Sequence, residues 1–174
     1  MGNLSGPGAA PGDWLRRFHL GPASVRGAGS FDVRRARTRF ARSVCALLRV
    51  PVEGSGVPVR IEIEREGDRE LWTRRFGGRR YVTRQVRGSG SRTERIGPLE
   101  LRFRVVATDA TVSFEPESSA LRVGPLGLRL PAPLAPRVHA HAESRGEAAF
   151  FVRVEVNAPA RVPLFCYSGM VTEV

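Results

Sequence analysis

The sequence predicts a mainly β domain, a curved antiparallel meander or barrel-like sheet with one packed amphipathic N-terminal helix. Three observations carry this. Val59, Ile61 and Ile63 alternate with Arg60, Glu62 and Glu64; Leu99, Leu101, Phe103 and Val105 with Glu100, Arg102 and Arg104; Phe150, Val152, Val154 and Val156 with Phe151, Arg153 and Glu155. Period-two alternation buries one face and wets the other. Glycine- and proline-containing turns separate these runs at short intervals, so sequential strands should pair as hairpins. Arg34 to Leu48 alone keeps clear helical spacing. A sheet repeated over more than half a chain must curl or close to hide its apolar face.

In chain order, Met1 to Gly12 is rich in Gly, Pro and Ala and is expected to be a disordered tail before a single domain over 13–174. Trp14 to Leu20 reads as one helical turn, Gly21 to Ser30 as a Gly-rich connection and Phe31 to Val33 as a short strand. In the Arg34–Leu48 helix, Ala36, Phe40, Val44, Leu47 and Leu48 form an apolar stripe flanked by Arg34, Arg35, Arg37, Arg39 and Arg42. That stripe suits packing on the sheet better than lying on a membrane. Pro51 ends the helix. Strands are expected over Val57–Arg65, Glu70–Phe76, Arg79–Arg87, Arg92–Ile96, Leu99–Thr108 and Thr111–Glu115. Ala120 to Leu130 reads as two pieces around Gly124-Pro125, and Pro131 to Pro136 is too Pro-rich for a central strand. Arg137–Glu143, Ala148–Val156 and Val162–Val174 complete the set.

Length allows one well-buried core. No apolar run approaches bilayer length and no export signal opens the chain, so a cytoplasmic location is expected. Cys45 and Cys166 lie in apolar segments and read as buried thiols. The net charge of +11 would attract polyanions, yet all 28 cationic side chains are Arg. A Lys-free chain points to coding bias, and the arginines are scattered among glutamates. No recognition helix, zinc finger or ribonucleoprotein motif is present, so nucleic acid is not an expected partner. No Gly-rich turn joins a strand to a helix, so no nucleotide cofactor is expected.

Several segments resemble a bacterial family, domain of unknown function 4166. They are Leu15–His19 (LRRFH), Gly29–Arg35 (GSFDVRR), Leu47–Pro51 (LLRVP), Val57–Val59, Trp72–Gly78 (WTRRFGG), Arg84-Gln85, Glu94–Val105 (ERIGPLELRFRV), Gly124–Pro131 (GPLGLRLP) and Leu134–Val138 (LAPRV). The resemblance implies no known activity. It does imply company, since such domains often follow a saccharopine-dehydrogenase-like or epimerase-like module.

Candidate site residues come from strand faces. Trp72, Arg74 and Phe76 share one face, and an Arg drawn inward with two aromatics needs a carboxylate, carbonyls or an anionic ligand. The alternative is an Arg at a barrel end, stacked on Trp72 and paired with Glu. Tyr81, Thr83 and Gln85 alternate with Val82, Arg84 and Val86; either face can be the inner one, so both Arg84 and Gln85 are candidates. His19, beside Phe18, can be a base, a ligand contact or a packed histidine. His139, His141 and Glu143 share a face with metal-like spacing, but water-facing strands show such alternation freely, so no metal is expected. No Ser sits in a nucleophile elbow and neither Cys has a nearby His. The leading expectation is a non-enzymatic binding domain for a small apolar or lipid-like ligand with an anionic group. The alternatives are a domain docking on a dehydrogenase- or epimerase-type partner, and an enzyme using His19 or the His139/His141 pair.

Overall fold

A computed structural model describes residues 13–47, 50–124 and 126–174. The expected tail, Leu48 and Arg49 at the expected helix end, and Pro125 lie outside the described residues. The elements are α1 (Asp13–Leu20), β1 (Val25–Arg35), α2 (Arg39–Leu47), β2 (Gly54–Glu66), β3 (Arg69–Phe76), β4 (Arg79–Gly88), β5 (Ser91–Ile96), β6 (Leu99–Ala107), β7 (Thr111–Val123), β8 (Leu126–Arg129), β9 (Arg137–Ser144), β10 (Ala149–Asn157), a 3-10 turn (Pro159–Arg161) and β11 (Pro163–Glu173).

The strands form one antiparallel sheet in the order β6-β5-β4-β3-β2-β1-β11-β10-β9-β7-β8, and a further β6–β7 pairing closes it. Ten strands make the barrel wall, and β8 is a flap on the far end of β7. Closure removes the open edges that a curved sheet would leave. Neighbouring strands run in opposite directions, so all turns gather at two ends. The lower end holds α1 and the β2–β3, β6–β7 and β9–β10 turns. The upper end holds α2, the β3–β4 and β5–β6 turns, the β7–β8 flap and the 3-10 turn.

Four local differences from the sequence expectation have physical causes. First, the Gly-rich stretch is strand, not connection. A Cβ at Gly29 would lie 1.9 Å from the Met170 carbonyl oxygen, and one at Gly169 2.2 Å from that of Ser30. Glycine here lets β1 and β11 cross closely where a side chain would collide. Second, Arg34 and Arg35 belong to β1, paired with Cys166 and Phe165. The helix begins later because the Thr38 hydroxyl accepts from the Ala41 backbone N–H at 3.1 Å, an N-cap. Third, β7 runs unbroken from Thr111 to Val123, absorbing Pro116 at a register shift opposite Arg102 and Phe103. Fourth, the helix that enters the barrel is α1, not the Arg34–Leu48 segment.

Trp14, Leu15, Phe18 and His19 form the buried face of α1 and plug the lower end. Each of the first three stabilises by about 1.5–3 kcal/mol on leaving water. The helix α2 instead buries Ala41 and Cys45 against Leu164 and Phe165 beside the upper end, leaving Phe40 56% exposed. Cys45 is buried, Cys166 half-buried, and both are free thiols.

Candidate ligand cavity and its charged floor

The two-residue turns fix which side chains face inward. Across Gly77-Gly78, Phe76 pairs with Arg79, Arg74 with Tyr81, Trp72 with Thr83 and Glu70 with Gln85. Paired residues share a face, so Tyr81, Thr83 and Gln85 point inward with Trp72, Arg74 and Phe76. Arg84 therefore lies exposed on the outer wall, which removes it from the candidate site. Across Gly97-Pro98, Glu94 pairs with Leu101 and Arg92 with Phe103, so both charged residues point inward.

The inward rows enclose a cavity of about 360 Å3. Phe31, Ile61, Phe76, Leu101, Phe103, Val152 and Val154 are its apolar lining, and Phe40, Pro51, Leu121, Leu130 and Pro136 lie toward its upper end. Polar and aromatic residues complete the lining: His19, Trp72, Arg74, Gln85, Arg92, Glu94 and Phe114. Such a cavity is at the small end of ligand pockets, about 300–1,000 Å3, with the usual mix of apolar wall and few polar groups. A larger depression on the outer wall, bordered by Arg84, Arg95, Arg102 and Arg129, is open and charged.

Below the cavity floor, Glu70 is the hub of a buried ion cluster. Its Oε1 takes Arg65 Nε at 2.9 Å and lies 3.3 Å from Arg87 Nε. Its Oε2 accepts from Trp72 Nε1 at 2.7 Å and lies 3.5 Å from Arg92 Nη1. Most of the remaining guanidinium donors go to the end of α1 and the residues after it; Arg87 also donates to the Gly67 carbonyl at 3.1 Å and Arg92 to Gln85 Oε1 at 3.2 Å. Arg65 donates to the carbonyls of Arg17, Phe18 and Ala23, Arg92 to that of His19 at 2.7 Å, and Arg87 to those of Leu20 and Gly21 at 3.2 and 2.9 Å. A helix C-terminus presents orphan carbonyls and a partial negative charge. Three arginines satisfy both, and one carboxylate offsets part of their charge.

Arg74 stands higher. Its Nη1 donates to Thr83 Oγ1 at 3.0 Å and lies 3.8 Å from Glu94 Oε1. Its Cζ lies 4.6 Å from the Trp72 ring centre and 6.0 Å from that of Tyr81. Arg74 is thus stacked and loosely paired, and it faces the cavity. Around the lower interior four arginines (65, 74, 87, 92) meet two glutamates (70, 94), a local excess of two positive charges. Burial and the neighbouring Glu94 push the Tyr81 phenol well up, so it stays neutral. Burial lowers the Arg92 guanidinium, against the pull of Glu70.

His19 is enclosed by the rings of Phe18, Trp72, Phe114 and Phe150, with centres 5.1–5.9 Å away. Neither ring nitrogen has a hydrogen-bond partner, and Arg92 Nε is likewise unpartnered. Burial first, then the Arg92, Arg65 and Arg74 charges, hold its pKa well below the usual histidine value. It is therefore a neutral imidazole, with one donor and one acceptor open to a ligand. No carboxylate orients it as a general base would require. His139 and His141 are exposed on the outer wall, His141 Nδ1 lying 2.8 Å from Ser113 Oγ. Among the described residues no group of three or more His, Cys, Asp or Glu could hold a metal ion.

The sequence reading found Trp72, Arg74, Phe76, Gln85 and His19, and all five line the cavity. It missed Arg92, Glu94 and the hub Glu70. The signal for Arg92 and Glu94 was the parity of Leu101 and Phe103, carried across Gly97-Pro98, and for Glu70 the strand face it shares with Trp72.

Among the described residues no helix is long and apolar enough to cross a membrane. Among solved structures, the fold is similar to that of a protein of unknown function from the DUF3598 family of Nostoc punctiforme, with a TM-score of 0.58 and 8% sequence identity. That match covers 98% of this chain and 53% of the other, so the chain spans about half the length of that protein. No curated protein matches. The family model described as domain of unknown function 4166 matches residues 13–171, nearly the whole chain and every wall of the cavity, and the chain belongs to that family.

Proposed function

We propose that this domain binds a small apolar molecule carrying one anionic group, held head-down in the barrel. One observation carries the reading: an apolar-walled cavity ends on a floor with excess positive charge and an unpartnered imidazole. Arg74 offers guanidinium donors into the cavity, and His19 and Arg92 Nε offer more. In a low-dielectric interior each is worth more than in water. The apolar part of the ligand lies along the apolar lining, toward the mouth at Leu121.

The test is thermal melting with medium-chain fatty acids, acyl phosphates and the matching neutral alcohols. Carboxylates or acyl phosphates should raise the melting point of the wild type more than the alcohols do. Arg74→Ala should lose that difference, and Arg60→Ala, altered on the outer wall, should keep it. A wild type that no panel member stabilises overturns the reading.

A further inference from the structure

The rim of the cavity has a composition of its own. Leu121 pairs with Leu128 and Val123 with Leu126, so all four share one face of the β7–β8 hairpin. Leu121 lines the cavity mouth, so this face continues the barrel's inner wall beyond its end as an apolar lip. Val123, Leu126 and Leu128 are 73%, 74% and 67% exposed. Phe40 of α2 and Leu134 are exposed at 56% and 59% at the same end. A monomer in water rarely leaves so many large apolar side chains together and bare.

Charge at this end is one-sided. Arg39, Arg42, Arg79, Arg80, Arg129 and Arg161 are exposed at this end of the barrel. Asp32, Glu53 and Glu100 are the acids near them, and Glu100 is occupied by Arg122 at 2.8 Å. We infer that the upper rim docks on an anionic lipid surface, with the β7–β8 lip and Phe40 entering the headgroup region and the arginines contacting lipid phosphates. Apolar side chains ringed by cations fit an anionic bilayer, which combines phosphate charge with an apolar interior. Nucleic acid would share the charge but offers nothing to aliphatic Leu and Val side chains. Docked in this way, the mouth opens onto the phase in which an apolar ligand dissolves.

The experiment is co-sedimentation of the full chain with vesicles of phosphatidylcholine, alone or with phosphatidylglycerol, at low and physiological salt. Binding should require phosphatidylglycerol and weaken with salt. Leu126→Asp/Leu128→Asp should weaken it at least about tenfold. In a second variant, Leu126→Trp, tryptophan emission should shift to shorter wavelength on adding anionic vesicles. Arg74→Ala, altered inside the barrel, should bind vesicles as the wild type does, which separates this test from that of the cavity. The inference is overturned if the wild type stays in solution with anionic vesicles, or if the lip variant sediments equally. It is also overturned if the lip instead holds a second copy, seen as a dimer that the Asp variant dissolves, or if the rim takes an oligonucleotide and not vesicles.

Discussion

The two ends of this barrel solve opposite problems with the same residue type. At the lower end Arg65, Arg87 and Arg92 are drawn inward, spend their donors on the carbonyls of α1 and surround one buried carboxylate. The surface there is balanced, with Arg16 paired to Asp109 at 2.9 Å and Arg17 to Glu173 at 2.8 Å. At the upper end the arginines point outward beside exposed leucines. One end is a seal whose arginines are held by the protein's own carbonyls and one carboxylate. The other is a rim that carries its arginines on the exposed surface. Arginine content therefore says little until each side chain's partner is known.

The largest effect that could break this comparison lies at Glu70. Glu70→Ala should destabilise the fold by about 3–5 kcal/mol in urea unfolding, because it strands the buried guanidinium groups of Arg65 and Arg92. A loss below about 1 kcal/mol would mean that apolar packing of α1 alone makes the seal.

A medium effect tests the histidine set in that seal. The folded-state pKa of His19 is held below its unfolded value, so above the unfolded value of about 6.5 the group is neutral in both states and costs nothing. As pH falls below that, the unfolded chain takes up a proton that the native chain refuses, and stability drops, by at most about 1.4 kcal/mol at pH 5.5. His19→Leu should remove this component of the pH dependence measured by denaturant unfolding between pH 7.5 and 5.5. An unchanged slope would place the titration elsewhere.

The smallest effects belong to the upper end. Leu126→Asp/Leu128→Asp should change unfolding free energy by under about 0.5 kcal/mol per site, since both side chains are already in water. A larger loss would make the lip part of the core.

The walls of this barrel were legible in the sequence because alternation is a local signal, and nearly every expected strand formed. The helix boundary was misplaced because Arg34 and Arg35 satisfy helical spacing and strand parity equally, and only pairing with β11 decides between them. The strand over Val25–Ser30 was hidden because its glycines are there for a neighbour far along the chain, the Met170 backbone. Part of the site was readable: hairpin register through Gly77-Gly78 sends Gln85 in and Arg84 out. The Glu70 cluster was not, because it needs α1, β2, β3, β4 and β5 brought together at one end, a fact of closure and not of any segment.

A barrel plugged at its lower end would also dictate how a bound ligand exchanges. Among the described residues α1 fills the lower end, and if the cavity takes the proposed ligand, that ligand would enter and leave past Leu121 and Pro136. No second molecule can push from behind, so exchange has to pass through an empty barrel. The rate of swapping one ligand for another would then be set by the first one's departure, indifferent to how much competitor waits outside.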